Sequence, residues 1–149
     1  MNREWRVYLS GEIHTDWRDQ IVNAVQSQGL PISFDAPVTD HKASDGCGVD
    51  ILGPEENAFW RDHKGGKINA LRTRTLIDAA DIVVVRFGDT YRQWNAAFDA
   101  GYAAALGKGL IILHDPELTH PLKEVDAAAL AVAETPQQVA QILAYVISG

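Results

Sequence analysis

The run Asp81-Ile82-Val83-Val84-Val85-Arg86-Phe87 constrains this chain more than any other feature. It is almost continuously apolar, β-branched and too short for a helix, so it reads as a strand covered on both faces. Strands of that kind sit inside parallel sheets flanked by helices, and the rest of the sequence supplies matching parts. Arg6–Gly11, Pro31–Asp35, Leu110–His114 and a weaker Leu130–Glu134 read as further strands. Helical patterns lie between them. Trp17, Ile21 and Val25 repeat every four residues behind a Thr15 or Asp16 cap, and Gly29 ends that helix. Ile68–Ala80 and Trp94–Leu106 flank the central strand, the latter with Trp94, Ala97, Phe98, Gly101, Tyr102 and Ala105 as its apolar stripe. Thr135-Pro136-Gln137-Gln138 opens the last helix with a cap, a proline at the first position and a capping-box glutamine.

Alternating strands and helices imply right-handed crossovers, so the expected fold is a single α/β domain spanning residues 1–149. It has three layers around a mostly parallel five-stranded sheet. Ligands of such sheets bind beyond the carboxyl ends of the strands, here Ser10-Gly11-Glu12, Phe87-Gly88-Asp89 and His114-Asp115. Val38–Lys67 is polar and glycine-rich, and is expected to be an irregular loop with one short helix in Glu55–Asp62, covering that crevice.

Charge and cysteine content narrow the partners. With 13 Lys+Arg against 20 Asp+Glu the net charge is -7, which offers a phosphate polymer no basic footprint. No nucleic-acid polymer is expected, whereas a small nucleoside remains compatible. No apolar run approaches the ~20 residues of a membrane span. Cys47 is alone and no charged-then-apolar leader opens the chain, so a reducing cytoplasm is expected. His14, His41, His63, His114 and His120 fall at unrelated spacings, so no metal site is expected. Nor is there a glycine motif that cradles phosphate.

Two carboxylates stand out. Asp99 lies on the helix after the central strand, one turn beyond Asn95 on the same face, where a carboxylate can attack an electron-poor carbon. The ordinary alternative is a solvated aspartate. Glu12 follows the Ser10-Gly11 turn, where Gly11 lets a ligand approach the backbone and Glu12 suits sugar hydroxyls or proton transfer. Its alternative is pairing with Arg18 or capping the next helix. Phe59 and Trp60 either stack on a heteroaromatic ring or anchor their loop to the core. Asp81, at the opposite strand end, reads as structural.

Val7-Tyr8-Leu9-Ser10-Gly11-Glu12-Ile13-His14, Asp78–Val85 and the segment Asn95-Ala96-Ala97-Phe98-Asp99-Ala100-Gly101-Tyr102-Ala103 together resemble the nucleoside 2-deoxyribosyltransferase superfamily, within it the YtoQ-type branch. The resemblance implies a flavodoxin-like, deoxyribosyltransferase-like fold and an enzyme that cleaves or exchanges the N-glycosidic bond of a nucleoside without a cofactor. It places Asp99 as nucleophile, where the family carries the longer glutamate, with Ser10, Gly11, Glu12 and Ile13 lining the sugar; Glu12 is expected beside Asp99 as the second catalytic residue. The expected binding set is Ser10, Gly11, Ile13 and His14 after the first strand, Gly88 after the central strand, Trp94 and Asn95 opening the next helix, and Asn69 and Arg72 on the preceding one. Gln93 stands where the family has an acid, and Asn69, Arg72, Thr73 and Arg74 replace another, which hints at a more anionic ligand. Two further readings stay open. A hydrolase of nucleosides or nucleoside monophosphates is favoured if Arg72 and Arg86 converge on a phosphate, and a non-catalytic binding module is favoured by the changes at Gln93 and Asp99. A homo-oligomer is expected, because relatives bury the helix beside the nucleophile against a neighbouring subunit.

Overall fold

The strand signals assemble into one sheet. A computed structural model describes residues 3–149. Strands β1 (Trp5–Gly11), β2 (Ile32–Asp35), β3 (Ile82–Phe87), β4 (Gly109–His114) and β5 (Ala131–Ala133) form a sheet of order β2-β1-β3-β4-β5. Every pairing is parallel, with Val7 opposite Ile82 and Gly11 opposite Arg86 across the central pair. The order reverses between β1 and β3, so a crevice opens there at the carboxyl edge.

The period of two along β1 sends Val7 and Leu9 to one face and Tyr8 and Ser10 to the other. On the first face α1 (Trp17–Ser27) and α6 (Pro136–Ser148) bury Trp17, Ile21, Val25, Val139 and Leu143. Each such side chain contributes about 2 kcal/mol of apolar burial. Thr135 caps α6 as expected, accepting from the Gln138 amide, while Gln138 Oε1 accepts from Glu134 N–H, one residue before the cap. The second face packs Tyr8, Val83, Val85, Leu110 and Ile112 against Ile77 of α3 (Ala58–Ala79) and the alanines of α4 (Trp94–Ala105). A short helix, α5 (Lys123–Ala127), closes the far end, where buried His114 bonds the Asp126 carboxylate at 2.8 Å and the Asp115 carbonyl at 2.7 Å.

Two expectations are corrected. Val38–Lys67 is mostly helical: α2 spans His41–Leu52, and α3 runs from Ala58 to Ala79, absorbing both the short helix placed at Glu55–Asp62 and the one placed at Ile68–Ala80. Asp40 caps α2 by accepting from Ala43 N–H, and Asn57 caps α3 by accepting from Phe59 N–H. The glycines that argued against helix let the two helices touch: a Cβ on Gly48 would lie 2.4 Å from the Gly65 nitrogen. Second, the α4 stripe is reversed. Ala96, Ala100 and Ala103 are buried, whereas Trp94 and Phe98 are 70% and 54% exposed. A helix lying close against a sheet admits only small residues on its inner face, so the alanines set the contact and the aromatics face out.

Candidate active site

The cavity follows from that topology. It measures about 800 Å³, within the range of small-ligand sites, and lies at the β1–β3 switch point. Gly11, Glu12, Ile13 and His14 line it from the β1–α1 turn, Asn69 and Arg72 from α3, and Trp94, Asn95 and Asp99 from α4. The α2–α3 hairpin supplies a wall through Ser44, Asp45, Asp62 and Gly65. Asn69 joins the two hairpin helices by donating to the Ser44 carbonyl at 3.0 Å. Phe59 and Trp60 neither line the cavity nor anchor to the core: they pack with His63 on the exposed side of α3.

Asp99 is partly buried, and the fully buried Ser10 hydroxyl donates to its Oδ2 at 2.6 Å. Oδ1 has no protein partner among the described residues. Burial pushes the Asp99 carboxyl above its ordinary value, and the Ser10 bond pulls in the opposite direction. Ser10 itself does not line the cavity; its contact with the site is Asp99.

Glu12 is spent on holding the turn. Its carboxylate accepts from the His14 amide, from the Thr15 amide at 2.8 Å and hydroxyl at 2.6 Å, and from Arg86 at 3.4 Å. Burial alone would raise its pKa, yet these four donors outweigh it and hold the carboxyl below the usual range. Arg18 does not pair with that carboxylate. It donates instead to the carbonyls of Leu9, Gly11 and Glu12 at the carboxyl end of β1 and the turn after it. Burial lowers its pKa to about 10, which leaves it charged at neutral pH.

Gly11 and Gly88 are needed for packing. Gly11 has φ +110°, and a Cβ there would sit 2.1 Å from the Arg86 carbonyl oxygen, so the close approach is to β3, though Gly11 also lines the cavity. Gly88 does not line it. A Cβ on Gly88 would lie 2.8 Å from Glu12 Cγ, and its amide donates to Gln93 Oε1 at 2.9 Å. Arg86 and Arg72 do not converge: Arg86 turns to Glu12 outside the cavity, while Arg72 lines it and donates to the Ala36 carbonyl at 2.7 Å. Asp81 binds the Arg6 amide and pairs with Arg3, far from the crevice.

Several neighbours of Asp99 carry no sequence signal of their own. Tyr8 is fully buried on the Ser10 face of β1, with its hydroxyl beside Thr73 and lacking a well-formed hydrogen bond. Burial raises its phenol, the nearby Asp99 charge adds to this, and Arg72 opposes it. Period-two reading from Ser10 is the one signal that points to Tyr8. Tyr91 packs on the His14 ring with centroids 4.5 Å apart, and Arg92 and Gln93 line the cavity next to it. No cluster of three or more His, Cys, Asp or Glu among the described residues is arranged to hold a metal ion. No helix among them is long and apolar enough to cross a membrane.

Comparison with known proteins shows the family and the fold. The sequence model of the family described as nucleoside 2-deoxyribosyltransferase YtoQ matches residues 8–147. A protein of Bacillus subtilis (strain 168), described as uncharacterized protein YtoQ, is 45% identical over 142 residues, covering 95% of this chain and 96% of that one. Two solved structures share the fold. The 2-deoxyribosyltransferase of Bacillus psychrosaccharolyticus superposes with a TM-score of 0.55 at 18% identity, over 91% of this chain and 90% of its own. A conserved protein of Enterococcus faecalis V583 gives 0.62 at 11% identity, over 93% and 96%.

Proposed function

The chain belongs to the nucleoside 2-deoxyribosyltransferase YtoQ family, and from that premise we propose that it cleaves or exchanges the N-glycosidic bond of a nucleoside through the Asp99 carboxylate. The observation that carries this reading is the state of Asp99 at the cavity wall, with one oxygen held by Ser10 and the other free. Oδ1 attacks C1′ of the sugar and the C–N bond breaks, its electron pair leaving with the base, which takes up a proton. The sugar is then an ester of Asp99. An incoming base, or water, attacks C1′ and releases a proton as the ester breaks, so the carboxylate is regenerated and the step balances without a cofactor. Glu12 is ionised and bonded on both oxygens, so its role here is to hold the turn that carries Gly11, Ile13 and His14 against the sugar. The His14–Tyr91 pair offers the base an aromatic wall.

The test is an exchange assay with deoxyinosine and adenine, following deoxyadenosine by chromatography and free hypoxanthine as the sign of hydrolysis. Deoxyadenosine is the expected product. Hypoxanthine alone makes the enzyme a hydrolase, and no turnover across a panel of nucleosides and monophosphates overturns the enzymatic reading in favour of a binding module.

Ser10 gives a pH signature. Asp99 attacks only when ionised, so activity rises as pH increases through its pKa. The Ser10 hydroxyl favours the ionised form and holds that pKa down. Ser10→Ala therefore moves the acid limb of the kcat/KM profile to higher pH; an unmoved limb contradicts the assignment.

The exposed aromatics of α4 support self-association. Trp94, Phe98, Tyr91 and Leu71 are large apolar side chains that are each more than half exposed, and apolar surface of that kind, where contiguous, marks interaction sites. A second copy covers it, and light scattering at micromolar concentration is expected to give a mass well above 16.3 kDa. A monomer mass that persists in Trp94→Lys and wild type alike refutes this. The lone Cys47 supports a cytoplasmic location.

A further inference from the structure

The reaction leaves one proton without a carrier. The departing base takes up a proton as its bond to C1′ breaks, and the incoming base gives one back, so a group in the cavity must hold it in between. The carboxylates are committed elsewhere. Asp99 is the reacting group, and Glu12 accepts hydrogen bonds on both oxygens, from the His14 and Thr15 amides, the Thr15 hydroxyl and Arg86. Asp45 and Asp62 sit on the hairpin wall, where Asp45 pairs with His41 at 3.3 Å. Gln93 has no acidic proton, and its amide oxygen accepts from Gly88 N–H. Arginines do not release protons near neutral pH.

Histidine is the side chain that gives and takes a proton in that range. Of the five in the chain, His63 packs with Phe59 and Trp60 outside the cavity, His114 is buried with both ring nitrogens bonded, and His120 does not line the cavity. His41 lines it from α2 but is turned to Asp45. His14 differs from all of these: it lines the cavity, and neither of its ring nitrogens bonds to another group among the described residues. Its position is nevertheless set. Its amide donates to the Glu12 carboxylate, and its ring lies against Tyr91 with centroids 4.5 Å apart. It follows Ser10, whose hydroxyl holds Asp99, by four residues, so the two Cα atoms are at most about 14 Å apart. That spacing fits a nucleoside with C1′ at Asp99 and the edge of its base at His14.

We propose that His14 is the general acid and base of this reaction. As the C1′–N bond breaks, the imidazolium gives its proton to a ring nitrogen of the departing base, which leaves neutral. The imidazole then takes the proton that the incoming base, or water, releases on attacking C1′. The proton returns to its starting atom, so the cycle balances without a co-reactant. The inference rests on the reading of Asp99 as nucleophile of a nucleoside site and supplies the proton carrier for it.

The experiment compares two leaving groups. Deoxyinosine needs a proton to lose hypoxanthine as a neutral base, whereas N7-methyl-deoxyguanosine is already cationic in mildly acidic buffer and loses a neutral base without one. Release of base from each, above the spontaneous rate and with adenine present, is followed for wild type, His14→Gln and His14→Phe. The donor's kcat/KM reports the steps up to base release. Phenylalanine keeps a ring against Tyr91, and the amide that bonds Glu12 is retained in both variants. Both are expected to lose about a hundredfold or more in kcat/KM on deoxyinosine, as for a missing general acid, and less than about tenfold on the methylated substrate. Wild-type activity of His14→Phe on deoxyinosine makes His14 an aromatic wall only and overturns the proposal, as do equal losses on the two substrates. Neither result touches the Asp99 assignment. Failure of wild type to release either base overturns the proposal together with the nucleoside reading. A variant with a lowered melting temperature is read from the ratio of the two substrates, which a loss of folded protein leaves unchanged.

Discussion

Asp99→Asn is expected to lose at least about four orders of magnitude in turnover while remaining folded. The side chain keeps its shape and an oxygen that accepts from Ser10, but an amide cannot form the ester with C1′, and removal of a nucleophile commonly costs that much. Stability should move the other way. Burial raises the Asp99 pKa, so its contribution to stability is fully present below the unfolded-state value and is lost as pH rises through the folded one. At neutral pH the ionised carboxylate is therefore a cost to the fold, and the amide removes it. The melting temperature of Asp99→Asn at pH 7 is expected to equal or exceed that of wild type, with the difference narrowing in acid. Thermal melts at several pH values, run beside the exchange assay, read both effects. A variant that loses activity together with its fold would not support a chemical role.

Gly11→Ala is expected to cost about 4 kcal/mol or more, enough to lower the melting temperature by roughly 10 °C or to leave no soluble protein. Gly11 has φ +110°, outside the conformations that alanine adopts easily, and its missing Cβ is the space filled by the Arg86 carbonyl. The backbone cannot back away without breaking the Glu12 amide bond to that same carbonyl at 3.1 Å and displacing Ser10 from Asp99. Gly29 is the control. It too has positive φ, at +65°, but nothing lies within 4 Å of an added Cβ, so Gly29→Ala should cost only about 1–2 kcal/mol. Equal melting temperatures for the two variants would show that the β1–β3 contact does not govern this turn.

The parts of the fold legible in the sequence are those whose stability is local or set by continuous patterning. The Ile82–Phe87 run, the Trp17/Ile21/Val25 stripe and the Thr135 cap each carry their own signal. The α2–α3 hairpin does not, because its helices are polar and glycine-rich and are stabilised by contact with each other at Gly48 and Gly65, a relation between distant positions. Periodicity points to the wrong face of α4 for a related reason: it locates an apolar stripe, yet the sheet selects for small size, so alanine wins the buried positions over tryptophan and phenylalanine. At the site, strand-end logic reaches Gly11, Glu12, Ile13 and His14, and the family resemblance reaches Asp99. Neither reaches Tyr91 or Arg92, which come to the cavity through a loop whose course depends on Gln93 bonding Gly88. Nor does the residue type of Glu12 disclose that its carboxylate is fully occupied by the turn it closes.

The measurement that decides whether Asp99 is the reacting carboxylate is the mass of the acid-quenched protein after incubation with deoxynucleosides and their monophosphates. Wild type is expected to gain the mass of one sugar moiety, on the peptide containing Asp99, and Asp99→Asn to gain none. An adduct mapped to any other residue, or turnover by Asp99→Asn equal to that of wild type, would contradict the account.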